Sequence, residues 1–266
     1  MKKSIFVFNF LSFVNSNKPS VTAEPDTKTN NTSRTNGYES RKINQSDAAK
    51  AQGYLNRGIN RRMMGNHKEA IEYFNRAVEI NPGLSRGFFH LGISYEYMND
   101  LDNAIHYFRK TTDMDHEFAQ AWFHLGLITF KLGDLTGAIE LFDRTIRLDP
   151  KIPMVYYNRG IARERLQDYT GALEDYHMTR KLDPKSSLGY FNAGLVKNIL
   201  GDYRGAISDF DIVAEIEPNS YRVYHYRGIA KSKAGDILGA CIDWNTACDL
   251  GSEISFELIR TYCHLS

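Results

Sequence analysis

Cysteine is scarce in this chain of 266 residues: Cys241, Cys248 and Cys263 are the only three, and all lie near one end. An odd count this low does not build a disulfide scaffold. Cys241 and Cys248 are seven residues apart, too far along one helix face for a disulfide, so the thiols are expected to pack as small hydrophobes. No run of about 18 or more apolar residues occurs, so no integral membrane segment is expected. Charge of one sign is also lacking: 33 Lys and Arg stand against 32 Asp and Glu, for a net charge of +1. That balance argues against a dedicated nucleic-acid coat or a polybasic membrane binder. A phosphate-cradling glycine loop, a two-histidine metal motif and a serine elbow are all missing. No catalytic residue, metal or cofactor is therefore expected, and the chain reads as non-enzymatic.

What is present is unevenly spread. Residues 1–50 hold eight basic and four acidic side chains, and the remainder holds 25 and 28. Lys2 and Lys3 precede an apolar stretch over residues 5–14, broken by Asn9 and Ser12. Small residues follow at Val21, Thr22 and Ala23, the layout of a secretory signal peptide with an unusually long polar spacer. Two readings stay open for residues 1–23: a cleaved signal of a secreted or periplasmic protein, or a frayed N-terminus of a cytoplasmic one. Residues 24–50 are mostly Thr, Asn, Ser and charged side chains. Such a segment buries too little apolar surface to offset its ordering entropy, so a disordered polar linker is expected there.

Beyond residue 50 the sequence repeats. Gly58, Gly92, Gly126, Gly160, Gly194 and Gly228 are each 34 residues apart. Twelve residues after each glycine comes an alanine: Ala70, Ala104, Ala138, Ala172, Ala206 and Ala240. Four further on stands an aromatic: Phe74, Phe108, Phe142, Tyr176, Phe210 and Trp244. Proline closes most units, at Pro82, Pro150, Pro184 and Pro218, with His116 and Ser252 in the other two places. Between glycine and alanine lies a break such as Gly133-Asp134 or Gln167-Asp168. A left-handed residue ends one helix there, and Asp or Asn caps the next. The small residues let two helices approach, and proline stops the second. Each unit is thus an antiparallel helix pair.

The pattern resembles the tetratricopeptide repeat (TPR) family, with units beginning at Ala51, Ser85, Ala119, Pro153, Ser187 and Tyr221. The resemblance covers residues 51–254 and implies an all-α, right-handed superhelical solenoid of six helix pairs. Residues 255–266 are expected to add a capping helix, with Ser252 at its start and Ile254, Leu258, Ile259 and Tyr262 on one face, because an uncapped solenoid end leaves apolar surface wet.

The family likeness also implies a concave groove lined by the first helix of each pair, and a scaffold role in which that groove holds an extended peptide or a helix of a protein partner. Mapped onto this chain, the groove series are Asn56, His90, His124, Asn158, Asn192 and Tyr226, flanked by Phe89, Phe123, Tyr157 and Phe191. An amide offers both donors and an acceptor, which suits a peptide backbone. A clamp for a C-terminal carboxylate is rejected, since Leu55 and Ile59, and Phe89 and Ile93, stand where its polar side chains belong. Arg62, Arg86, Lys131, Arg165, Arg222 and Lys233 give the groove a basic rim that favours an acidic segment in the partner. Two alternatives remain: a helical-repeat RNA binder, against which the acidic balance of the repeats argues, and a self-assembling structural module. Arg159 with Asp175, and Arg227 with Asp243, recur sixteen residues apart and are expected to bridge the two helices of a unit.

Overall fold

The computed structural model of the protein describes residues 43–263. The reading of residues 1–23, and that of the linker up to residue 42, lie outside the described residues. Thirteen helices and no strand occur among those described: α1 (Gln45–Met63), α2 (His67–Ile80), α3 (Ser85–Tyr97), α4 (Leu101–Met114), α5 (Ala119–Lys131), α6 (Leu135–Leu148), α7 (Pro153–Arg165), α8 (Tyr169–Leu182), α9 (Leu188–Leu200), α10 (Tyr203–Ile216), α11 (Tyr221–Lys233), α12 (Ile237–Asp249) and α13 (Glu253–Tyr262). The first helix corrects the linker boundary. It starts at Gln45, inside the segment read as disordered, because the Asn44 side chain accepts from the Asp47 N–H and caps it.

Each pair is closed in the way the repeat demands. A Cβ built on Gly126 would come within 2.6 Å of the Phe142 ring, so the ring of the second helix lies directly on the backbone of the first. The rings at this place, from Phe74 to Trp244, are at most 1% exposed and form the core of each unit. The break between helices is left-handed in every unit, including two without glycine: Asn99 has φ 60° and Gln167 φ 64°. The side chains of Asp100, Asp134, Asp168, Asp202 and Asp236 each accept from the backbone N–H three residues on. At the other end of the unit, Tyr156 and Tyr224 donate to the carbonyls of Pro150 and Pro218, and Trp122 Nε1 donates to the carbonyl of His116. Only the backbone carbonyl is used, which is why His116 can stand in for proline there.

Every helix packs on its chain neighbours, and the odd-numbered pairs α1–α3, α5–α7, α7–α9 and α9–α11 also approach one another, more closely than any even-numbered pair does. The chain therefore curves with α1, α3, α5, α7, α9 and α11 on its inner side. The result is a helical solenoid.

The last helix differs from expectation in three ways. It begins at Glu253, and Ser252 makes no side-chain capping bond to the backbone. Its packed face is Ser255, Leu258 and Ile259, leaving Ile254 59% exposed. Lastly, Cys241 is not a packed thiol: it forms a disulfide with Cys263, while Cys248 is free. The spacing of Cys241 and Cys248 excludes a bond between those two and says nothing about Cys263, which the turn before α13 folds back beside α12.

Candidate functional site

The inner face is built from one register of the odd-numbered helices. Phe89, Phe123, Tyr157 and Phe191 are half-buried and rest on the core rings of their own units, with centroids 5.8 Å from Phe108, 6.0 Å from Phe142, 6.3 Å from Tyr176 and 5.7 Å from Phe210 respectively. They form an apolar floor fixed from beneath.

The next residue in each helix has a different task in different units. His90 stacks on Phe74 of the preceding unit at 5.4 Å, His124 on Phe108 at 5.1 Å, and Tyr226 on Phe210 at 6.4 Å. These rings act as wedges between units. Asn158 is only 4% exposed and donates to the Met154 carbonyl at 2.7 Å, within its own helix. Asn56 is exposed and accepts from Gln52 at 2.9 Å. Asn192 is half-buried, and burial pushes the Tyr157 phenol up while the nearby Asn192 amide pulls it the other way. The series is therefore not a row of equivalent rungs.

Six places beyond this series runs a second register, whose pairings sequence reasoning did not see although it placed Arg62, Glu96 and Glu164 at the groove rim. Glu96 accepts from His124 Nδ1 at 2.7 Å, and Glu164 accepts from the Tyr176 hydroxyl at 2.7 Å. Burial raises the Glu164 carboxyl. Asn198 donates to the Tyr226 carbonyl at 3.5 Å. The first member of the series is Arg62.

No group of three or more metal-ligating side chains occurs among the described residues, and none of their helices is long and apolar enough to cross a membrane.

Tetratricopeptide repeat family models match residues 51–84 and 89–153. The first span runs from within α1 through α2, and the second from within α3 through α6 to the first residue of α7. The chain carries tetratricopeptide repeats. Its solenoid is similar to that of the Pseudomonas aeruginosa protein PilF, with a TM-score of 0.70 at 16% identity over 82% of this chain and 99% of the other. It is also similar to YrrB, described as a TPR protein with an unusual peptide-binding site, with a TM-score of 0.64 at 18% identity over 70% of this chain and 97% of that one. A third likeness is to MamA, with a TM-score of 0.58 at 23% identity over 60% of this chain and 94% of that one. At these identities the likeness is one of fold. No curated protein matches the sequence.

Proposed function

We propose that this chain is a non-enzymatic scaffold that holds an extended segment of a protein partner along its inner face. The reading rests on one observation above all. Phe89, Phe123, Tyr157 and Phe191 repeat at one register, each with one part exposed on the inner helices and braced by buried rings beneath. A row of pre-ordered aromatics binds with little loss of side-chain freedom. The likeness to YrrB, a TPR protein described as having a peptide-binding site, supports a peptide as the occupant. Asn56, His90, His124, Asn158, Asn192 and Tyr226 remain the polar side of the proposed site. The burial of Asn158 and its bond to Met154 move the anchoring role to Asn192 and Tyr157.

The test uses the full chain as bait to capture and identify a partner, followed by titration with groove variants. Tyr157→Phe combined with Asn192→Ala removes two neighbouring polar groups of the inner face together, so the melting temperature should change little while partner binding weakens by about 1–3 kcal/mol. Arg109, exposed on α4 of the outer side, serves as the control in Arg109→Ala. Partner affinity that responds to Arg109→Ala and not to the groove pair would overturn the reading.

A further inference from the structure

Four buried side-chain polar atoms lack a hydrogen-bond partner among the described residues, and three of them cluster at the first two units: Arg62 Nε, His67 Nδ1 and His90 Nδ1. Arg62 bears electrostatically on both histidines, and Arg86 adds to the field at His90. Burial together with these two cations pushes His90 down to about 3, so its ring stays neutral. Nearby carboxylates are already engaged: Glu69 pairs with Arg61 at 3.1 Å, and Glu96 is hydrogen-bonded to His124.

The repeat itself shows what this place lacks. One unit later the same two register positions hold Glu96 and His124, an acid and an imidazole joined at 2.7 Å. At the first junction the acid's position is occupied by Arg62, so a cation faces His90 where an anion faces its counterpart. Arg62 Nε is buried without a partner, so no internal carboxylate holds this guanidinium there, and an approaching ligand carboxylate would offset its charge. Hydrogen bonds from arginine to a carboxylate are also among the strongest non-covalent contacts available to a peptide site.

We propose that Arg62, Arg86 and His90 form a subsite for a carboxylate side chain of an acidic peptide lying along the inner face. The proposal rests on the groove reading above and adds the partner's chemistry to it: an extended segment bearing Asp or Glu where it passes the first two units.

The experiment is calorimetric titration of the full chain with two blocked peptides, one alternating alanine and glutamate, the other alanine and glutamine. The glutamate peptide should bind about ten-fold more tightly, the effect of one charge-assisted contact. Arg62→Glu should abolish that preference. It places a glutamate opposite His90 as Glu96 stands opposite His124, so the fold already accommodates the arrangement one unit on. Arg62→Gln removes the charge with less change and guards against a folding defect, and circular dichroism checks both variants. Arg109→Glu makes the same change of charge on the outer side and should keep the preference. Equal affinity for the two peptides, no binding of the glutamate peptide, or equal loss in Arg62→Glu and Arg109→Glu would each overturn the subsite. Equal affinity combined with loss in the Tyr157 and Asn192 variant strikes out the subsite and leaves the groove reading standing.

Discussion

His90 shows how much one side chain's surroundings can differ from those of its repeat counterpart. It stacks on Phe74, lacks a partner for Nδ1, and lies in the field of Arg62 and Arg86. Its folded value is about 3 against an ordinary 6.5. Between those values the unfolded chain binds a proton that the folded chain excludes. The neutral-state contribution is therefore fully present above pH 6.5 and is lost as pH falls toward 3. His67 and His225 are lowered too, chiefly by burial, and act in the same direction. Melting temperature measured across this range should fall less steeply in His90→Asn than in the native chain, with the remaining slope carried in part by the other two. Identical slopes would show that His90 titrates normally in the fold. The sequence identified His90 as a groove residue, but not as a buried neutral one. Its state is set first by burial and then by Arg62, which belongs to the preceding unit.

At the scale of the helix pair, the turn is where the repeat can be improved. Gln167 adopts φ 64° at a place where Gly65, Gly133, Gly201 and Gly235 stand in other units. A side chain in this left-handed region costs roughly 1 kcal/mol or more, which glycine avoids. Gln167→Gly should therefore raise stability by about 0.5–1 kcal/mol after its greater unfolded-state entropy is set against the relief. Chemical denaturation would read it, and a loss of stability would contradict the strain assignment.

Ion pairs join the helices of a unit and then the units. Arg159 bonds both carboxylate oxygens of Asp175 and also reaches Asp143 of the preceding pair. Arg227 repeats the arrangement with Asp243 and Asp211. Asp209 lacks the arginine, having Ala193 opposite, and is held by Lys197 at 2.7 Å and Arg180 at 3.1 Å. Arg163 and Lys231 occupy the same register as Lys197 and bind Asp175 and Asp243. Asp175 is 1% exposed, so this is not a screened surface pair. A double-mutant cycle on Arg159 and Asp175 should give a coupling of about 1–3 kcal/mol. A coupling near zero would mean that Arg163 alone satisfies the carboxylate.

Across the whole molecule, the C-terminal end needs more than apolar cover. On α13 only Ser255 is fully buried, and it meets His225 Nδ1 at 2.9 Å and Ser252 Oγ at 2.8 Å. Tyr262 lies 5.7 Å from the Trp244 ring, and the Cys241–Cys263 disulfide fastens that end of the helix to α12. The crosslink spans 22 residues of chain. Closing a loop of that size restricts the unfolded state by about 3 kcal/mol. Replacing both cysteines by alanine should lower the melting temperature and loosen α13 first, as hydrogen exchange would show, while α1–α6 keep their protection. Uniform loss of protection along the chain would mean that the solenoid unfolds as one unit.

The 34-residue spacing of glycine, alanine and aromatic determined the helix pairs, their breaks and the family, because each of those features depends on residues within one unit. The Arg159–Asp175 and Arg227–Asp243 bridges were legible for the same reason: both members sit in one helical hairpin. Contacts that cross from unit to unit were not, since neither residue carries a sign of its neighbour across the junction. The withdrawal of Asn158 into its own helix, the stacking of His90 and His124 on preceding rings, and the opposition of Arg62 to His90 were decided by how successive pairs stack. The disulfide belongs with them. With Cys241–Cys248 excluded by its spacing, Cys263 still had two possible partners, and only the reversal of the chain before α13 brings it to Cys241.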